Sequence, residues 1–200
     1  MKIIQRVSLA LRLSPAGAQD GFTLVEILVA IVVLSFGVLG VVGMQAAALQ
    51  SNRSARNQST AVALGRELAD IMRGNKDVAL ATGSANAYLL DYTGTLPTIT
   101  ANCFTGACAT TLAVAQFDMN QWLARVSAAL PQARVVVCFD DTPYATATGQ
   151  PQWACTSAAN QTLVVKIGWT QQALRASDAA VKAADGRPAV ILPLIAGSAT

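Results

Sequence analysis

Apolar positions are distributed very unevenly along this chain, and the longest apolar stretch lies near its start. From Ile27 to Ser51 the sequence contains no charged residue and no proline. The run ILVAIVVLSFGVLGVVGM alone supplies 18 consecutive, predominantly apolar positions. This length meets the minimum for a helix that crosses the hydrocarbon core of a bilayer. The stretch therefore predicts a transmembrane helix.

Beyond Gln45 the pattern changes to that of an amphipathic helix. Charged residues appear at short intervals, while apolar residues from Ala61 to Ile71 keep the spacing of one helical face. Gly74-Asn75 is a plausible C-cap for this helix. The pattern therefore predicts that the transmembrane helix continues as an amphipathic helix up to that point.

Three glycines, Gly37, Gly40 and Gly43, lie within the apolar stretch at intervals of three. Small residues at close to this spacing let transmembrane helices approach each other closely. The alternative is a local softening of the helix, since each glycine weakens a helix by about 1 kcal/mol relative to alanine. The sequence leaves both interpretations open.

The rest of the chain predicts one domain of mixed α and β structure. Residues 76–200 fall within the usual size range of a single domain. Residues 76–109 show little periodicity and are predicted to be a loop. Thr110–Leu130 follows with a helical apolar stripe that Pro131 ends. Trp122 lies on this stripe, and we expect it in the core.

Three apolar segments in the second half of the domain predict β-strands. Arg134–Phe139 and Gln161–Thr170 are rich in β-branched residues and are separated by a polar turn region. Pro188–Ile195 is a third candidate, and Pro193 within it favours an edge position. The predicted fold class is α+β, with a long N-terminal helix packed on a small antiparallel β-sheet.

The four cysteines, Cys103, Cys108, Cys138 and Cys155, all follow the apolar stretch, and their number is even. This favours an oxidising compartment and two disulfide bonds. A metal site is the alternative, but the chain has no histidine and no CxxC pair, so we predict no metal site. Four cysteines permit three connectivities, of which sequence proximity favours Cys103 with Cys108 and Cys138 with Cys155.

Composition and charge narrow the possible functions. The chain is 53% hydrophobic and only 12% charged, so part of it is expected to meet lipid or other subunits. The formal net charge of +3 is small and no basic patch is visible, so no nucleic acid partner is predicted. Because histidine is absent, nucleophilic schemes that use a histidine base are excluded. We predict no enzymatic activity and no cofactor.

Two carboxylate clusters are worth testing as calcium ligands. They are Asp140-Asp141, beside Thr142, and Asp178 with Asp185. Acidic side chains in exposed turns are the more common explanation of such clusters, and we expect it here. No phosphate-binding glycine loop and no paired-acid active site is visible in the sequence.

The residues ahead of the apolar stretch indicate its orientation. Lys2, Arg6 and Arg12 precede it, and the positive-inside rule keeps such residues in the cytoplasm. The C-terminal domain is then expected in the periplasm. A cleaved secretory signal peptide, with Ala46–Ala48 as its cleavage site, is the alternative. Against it, the apolar stretch is longer than the roughly 7 to 15 residues of the apolar region in such peptides, and it carries Glu26 close to its start.

Glu26 ends the block Gly21–Glu26 (GFTLVE), which directly precedes the apolar run. This block resembles the N-terminal processing motif of type IV pilins and related pseudopilins. The resemblance implies that a prepilin peptidase cuts between Gly21 and Phe22 and methylates the new N-terminus at Phe22. Glu26 is then an assembly carboxylate, which neutralises the N-terminal amine of a neighbouring subunit, because a buried charge is tolerable only when it is well paired.

The resemblance also implies how the chain is divided. Residues 1–21 are the prepilin leader peptide, 22–50 the transmembrane and assembly helix, 51–75 its amphipathic continuation, and 76–200 the periplasmic, disulfide-bonded α+β domain. The domain has a short C-x4-C loop, a helix with a tryptophan, a third and a fourth cysteine and the strand VVKIGWT. This order resembles the PilV branch of minor pilins, which implies the type IV pilin fold.

The expected function is that of a minor pilin, a non-enzymatic subunit that helps to initiate assembly of a type IV pilus and is incorporated into it. The expected partners are other minor and major pilins, the prepilin peptidase, the inner-membrane assembly platform and the lipid of the inner membrane. A type II secretion pseudopilin is one rival. A pilus-tip adhesin or DNA-uptake receptor is another, and it would need an exposed aromatic or basic patch.

Overall fold

The computed structural model describes residues 21–157, 161–170 and 186–197. Of the predicted leader peptide, only Gly21 is among these residues. The chain divides into two compact units, and the boundary lies between Gln45 and Ala46.

One long helix, α1 (Leu24–Gly74), contains both the apolar stretch and the amphipathic segment. It is the one helix among the described residues that is long and apolar enough to cross a membrane. Its most apolar window of 18 residues has a mean hydropathy of 2.8, and none of that window is buried. The buried residues of α1 lie between Ala61 and Met72. The apolar stretch is therefore exposed, whereas the later part of α1 contributes to the core.

A short helix, α2 (Lys76–Leu80), follows α1 after a single residue, Asn75. The Asn75 N–H donates to the Met72 carbonyl at 3.1 Å, and its side-chain amide donates to the Thr111 carbonyl at 2.7 Å. These two bonds fix the direction in which the chain leaves α1, because one satisfies the helix end and the other reaches the next long helix.

Four strands form one antiparallel sheet in the described part of the chain. They are β1 (Leu90–Tyr92), β2 (Arg134–Phe139), β3 (Leu163–Gly168) and β4 (Val190–Pro193), and their order in the sheet follows the sequence. Strand β4 is an edge strand and ends at Pro193. Proline has no N–H to donate to a neighbouring strand, and an edge position does not require one. The predicted fold class, a long helix packed on a small antiparallel sheet with disulfides, is confirmed.

The number of strands is a correction, because the sequence predicted three. Strand β1 lies within residues 76–109, which were predicted to be a loop. With three residues, β1 is too short to show an alternating pattern, and distant contacts hold it in place. The Asp91 carboxylate accepts two hydrogen bonds from Arg134 of β2, at 2.8 and 3.2 Å, and Tyr92 is buried.

The main core lies between one face of the sheet and two helices, α1 and α3 (Thr111–Ala129). The sheet contributes Val135, Val137, Val165 and Ile167 to this core. Trp122 of α3 is fully buried, as predicted. Its indole N–H donates to the Leu64 carbonyl of α1 at 2.9 Å, which joins the two helices.

Residues 140–157 form a loop that covers the opposite face of the sheet. That face carries Val136, Cys138, Val164 and Lys166. The ring of Trp153 lies against Gly168, where an added Cβ would come within 2.8 Å of the ring. The Trp153 indole N–H donates to the Gly186 carbonyl at 2.8 Å. The absence of a side chain at Gly168 therefore makes room for the tryptophan that closes this face.

The tip of the loop is a small hairpin. Tyr144 and Pro151 form an isolated antiparallel bridge, and the Gly149 N–H donates to the Ala145 carbonyl at 2.7 Å. Gly149 has a φ of 65°, a left-handed conformation that glycine adopts without strain. Residues 146–149, at the end of the hairpin, are exposed.

Candidate functional site

The start of α1 is defined by a cap at Thr23. The Glu26 N–H donates to the Thr23 hydroxyl at 3.2 Å, and the Ile27 N–H donates to the Thr23 carbonyl at 3.2 Å. A threonine followed three residues later by a glutamate has the spacing of a capping box. The helix therefore begins directly after Thr23, and Glu26 lies in its first turn.

The residues predicted for processing and assembly lie together at this end of the helix and are exposed. Gly21 and Phe22 precede the cap and lie outside the helix, and Phe22 is 78% exposed. Glu26 is exposed as well, and within the described ranges no cation pairs with its carboxylate. A carboxylate in the first helical turn is favourably placed against the helix dipole.

The three glycines of the apolar stretch do not interrupt α1. A Cβ added at Gly37, Gly40 or Gly43 would meet no atom within 4 Å. Nearby, the Ser35 hydroxyl donates to the Ile31 carbonyl at 2.7 Å, so this polar group is satisfied inside the helix. The surface at the glycines is therefore open to close approach by another helix.

Both cysteine pairs lie in the second unit of the chain. Cys103 is bonded to Cys108, and Cys138 of β2 is bonded to Cys155 of the covering loop. This is the pairing that sequence proximity favours. The second bond ties the loop of residues 140–157 to the sheet, and the ring that it closes contains the hairpin described above.

A buried ion pair lies beneath the same loop. The Lys166 ammonium, on the central strand β3, is 2.6 Å from the Asp140 carboxylate, and both side chains are fully buried. The ammonium also donates to the carbonyls of Gln152 at 2.9 Å and Ala154 at 2.6 Å. Three acceptors thus surround the cation, which is what a buried charge needs if it is to be tolerated.

The Asp140 carboxylate has further donors on its other oxygen. The backbone N–H of Thr142 donates to it at 3.0 Å and the hydroxyl of Thr156 at 3.2 Å. Burial alone would raise the pKa of Asp140, but the Lys166 ammonium and the Thr142 and Thr156 N–H groups outweigh it, so the pKa is lowered. The carboxylate is therefore ionised and fixes both ends of the covering loop.

This geometry corrects the prediction for Asp140, which was expected to lie in an exposed turn. It is a structural group, because Lys166 neutralises it and the loop buries it. Asp140, Cys138 and Cys155 lie within ligand distance of one another, but the two sulfurs are joined in a disulfide, so this cluster does not offer thiolates to a metal. The second predicted cluster, Asp178 with Asp185, lies outside the described residues.

Comparison with protein families connects this geometry to a class of proteins. Residues 17–42 match the model of the prokaryotic N-terminal methylation motif, and residues 43–122 match a model described as Tt1218-like, type IV pilin Tt1218. The two matches adjoin and together cover more than half of the chain. It belongs to the type IV pilin family. No curated protein and no solved structure gives a significant match to this pilin.

Family membership gives the described features a common context. The methylation motif implies that this pilin meets a prepilin peptidase and components of a pilus. The exposed apolar start of α1 suits anchoring in a membrane and packing in a pilus. Type IV pilins are in general structural proteins and not enzymes, so the site to understand is one of assembly.

Two residues that shape these sites were not singled out from the sequence. The cap at Thr23 had a visible signal, the T-x-x-E spacing between Thr23 and Glu26. Lys166 also had one, since it interrupts an otherwise apolar strand. A lysine in a fully buried strand needs an acidic partner, but the sequence alone does not say which carboxylate that is.

Proposed function

We propose that this pilin is a minor pilin of the PilV branch. It is a non-enzymatic subunit that helps to initiate assembly of a type IV pilus and is itself incorporated. The observation that carries the proposal is the methylation motif directly ahead of an exposed apolar helix, which continues into a disulfide-bonded domain. In this proposal residues 22–50 lie in the inner membrane and residues 76–200 in the periplasm, where cysteines are oxidised.

The proposed processing step removes residues 1–21 by cutting between Gly21 and Phe22. Two features of the start of α1 support this position. Both residues are exposed, and both precede the cap at Thr23. Cleavage there leaves every hydrogen bond of the helix start in place, so the mature chain keeps the same α1. Methylation then acts on the amine of Phe22.

The proposed role of Glu26 is to accept the N-terminal amine of a neighbouring subunit. An ionised carboxylate in the middle of a membrane helix costs about 2.5 to 3.5 kcal/mol, and less near the interface. Because of this cost, an ionisable residue in a membrane segment is by default a candidate for a functional role. Its exposure and lack of an ion-pair partner within the described chain leave it available to another subunit. A buried ion pair between subunits would fix the axial stagger of one helix against the next.

A type II secretion pseudopilin remains the rival within the family, because it uses the same kind of N-terminal helix. The order of the cysteines, the tryptophan-bearing helix and the VVKIGWT strand supports the PilV branch instead. The two proposals differ in a measurable way. A minor pilin is found in pili sheared from the cell, and its deletion reduces pilus number without blocking protein secretion.

The deciding experiment is intact mass and N-terminal sequencing of the protein extracted from its native membrane, with and without the prepilin peptidase. We expect an N-methylated phenylalanine at Phe22 that disappears when the peptidase is deleted. A chain that starts at Met1 in both strains, or near Leu49 after signal peptidase, would contradict the proposal.

The role of Glu26 is tested separately with Glu26→Gln. Glutamine at this position preserves a capping box, so the variant removes the charge and keeps the helix start. We expect normal cleavage at Phe22 but a strong loss of the subunit from sheared pili. The control is Glu67→Gln, which removes the charge of a half-buried glutamate later on the same helix, where it pairs with Arg125. Equal incorporation of both variants would refute the role of Glu26.

A further inference from the structure

Two arginines, Arg53 and Arg56, lie on α1 just beyond the apolar stretch. Both side chains are exposed, and in the part of the chain that the structure describes no acidic group lies within ion-pair distance of either. No aspartate or glutamate occurs from Ile27 to Arg66. This segment of the helix therefore carries two positive charges that no neighbouring residue of its own compensates.

The two arginines share a helical face with the end of the apolar stretch. They are three residues apart, so their side chains are neighbours on the helix surface. Leu49, which is the last large exposed apolar side chain of α1, precedes Arg53 by four residues and lies on the same face. The face therefore changes from apolar to basic within about one turn. A lipid molecule presents the matching order, an acyl chain followed by a phosphate.

The length of the apolar stretch sets the depth of these arginines in a membrane. Ile27 to Ser51 is 25 residues, more than the roughly 20 that cross the hydrocarbon core. Along the helix axis, Arg53 and Arg56 lie about 3 and 8 Å beyond Ser51. The headgroup layer is roughly 5 to 8 Å thick on each side of the hydrocarbon core. Both guanidinium groups can therefore reach the lipid phosphates, which are strong acceptors for arginine.

We propose that Arg53 and Arg56 together bind the phosphates of anionic lipids in the periplasmic leaflet of the inner membrane. The inference rests on the proposed function, because that function places the apolar part of α1 in this membrane. Each basic residue at an anionic lipid surface favours binding roughly fivefold. Lipids bound in this way hold the helix at a fixed depth until the subunit is incorporated into a pilus.

The test compares the double variant Arg53→Gln/Arg56→Gln with the wild type. The full chain is placed in nanodiscs of phosphatidylglycerol and phosphatidylcholine with identical acyl chains, and native mass spectrometry measures the lipids that it retains. We expect the wild type to retain phosphatidylglycerol preferentially. The double variant should lower the ratio of the two retained lipids by at least roughly fivefold. Glutamine has nearly the helix propensity of arginine, so the helix itself is preserved.

The matched control is Arg66→Gln. Arg66 is also exposed and has no acidic partner among the described residues, but it lies ten residues, about 15 Å, further along α1 than Arg56. We expect Arg66→Gln to keep the wild-type lipid ratio. Arg53→Lys/Arg56→Lys, which preserves both charges, should keep it as well. The leader residues are the same in every chain, so their charges do not affect the comparison.

Two results would overturn the inference. One is a wild-type lipid ratio in the double glutamine variant, and the other is an equal loss in Arg66→Gln. If the double variant keeps the lipid ratio but enters pili poorly, the arginines serve an acidic surface of another pilin and the inference is wrong. The lipid ratio in nanodiscs does not depend on processing. N-terminal sequencing at Phe22 of the membrane-extracted chain therefore reports a failure of the proposed function separately.

Discussion

Removing the cation of the buried ion pair is the sharpest test of how the covering loop is held. The variant Lys166→Met keeps an unbranched side chain one atom shorter than lysine, but it leaves the Asp140 carboxylate buried with no cation, and the carbonyls of Gln152 and Ala154 lose their donor. Breaking a buried pair in this way costs about 3 to 5 kcal/mol of unfolding free energy. For a domain of this size, that corresponds to a fall in melting temperature on the order of 10 to 20 °C.

The pH dependence of the loss has a defined sign. In the wild type the pKa of Asp140 in the folded state lies below its unfolded value of about 3.9. The ionised carboxylate therefore stabilises the fold fully above the unfolded pKa, and this stabilisation is lost as pH falls through the folded pKa. In Lys166→Met, burial without the cation raises the pKa of Asp140. As pH falls, protonation of Asp140 removes the unpaired buried charge from the variant. The difference in unfolding free energy between wild type and variant is therefore largest at pH 7 and becomes smaller toward pH 4.

The assay is guanidinium unfolding of the full chain in detergent, followed by tryptophan fluorescence. All three tryptophans lie in residues 76–200, so the signal reports on the domain and not on the membrane helix. The control is Arg125→Met, which breaks the exposed ion pair with Glu67 and should cost less than about 1 kcal/mol. A loss for Lys166→Met no larger than that of the control, or one independent of pH, would refute the reasoning.

Three further predictions are checked with the same unfolding assay. Gly168→Ala should cost about 1 to 3 kcal/mol, because the new methyl group would overlap the ring of Trp153, and Gly74→Ala, in open space, should cost nothing. Trp122→Phe should cost about 1 to 3 kcal/mol by removing the indole N–H that bonds α1, and no change would contradict that role. Removing the Cys138–Cys155 disulfide should cost about 3 kcal/mol, and removing the shorter ring about 2; the reverse order would contradict the loop-closure argument.

Segments with a strong local pattern could be predicted from the sequence. Helix α3 was predicted as Thr110–Leu130 and spans Thr111–Ala129, and β2 has the predicted bounds. Both are long enough for periodicity or β-branched residues to be visible. Strand β1 could not be predicted, because its three residues carry no alternation and its position depends on Arg134, more than 40 positions later.

The sites show the same division between local and distant information. The block from Gly21 to Glu26 is contiguous, so the sequence contained all that was needed to identify it. The environment of Asp140 depends on Lys166 and on a loop that folds back over the sheet, and neither is visible in the local sequence. The sequence singled out Asp140 as a notable acid, but the prediction that it lies in an exposed turn was wrong.

The two attachments of the covering loop lie at its ends, and the hairpin between them ends in an exposed tip. The disulfide at Cys155 and the buried pair at Asp140 hold the two ends, whereas the exposed tip at residues 146–149 contacts neither of them. A short peptide inserted at the tip would lengthen a closed hairpin and leave its base unchanged. The tip is therefore the place where an epitope or affinity tag can be displayed on this pilin, so that the subunit can be located along a filament by microscopy.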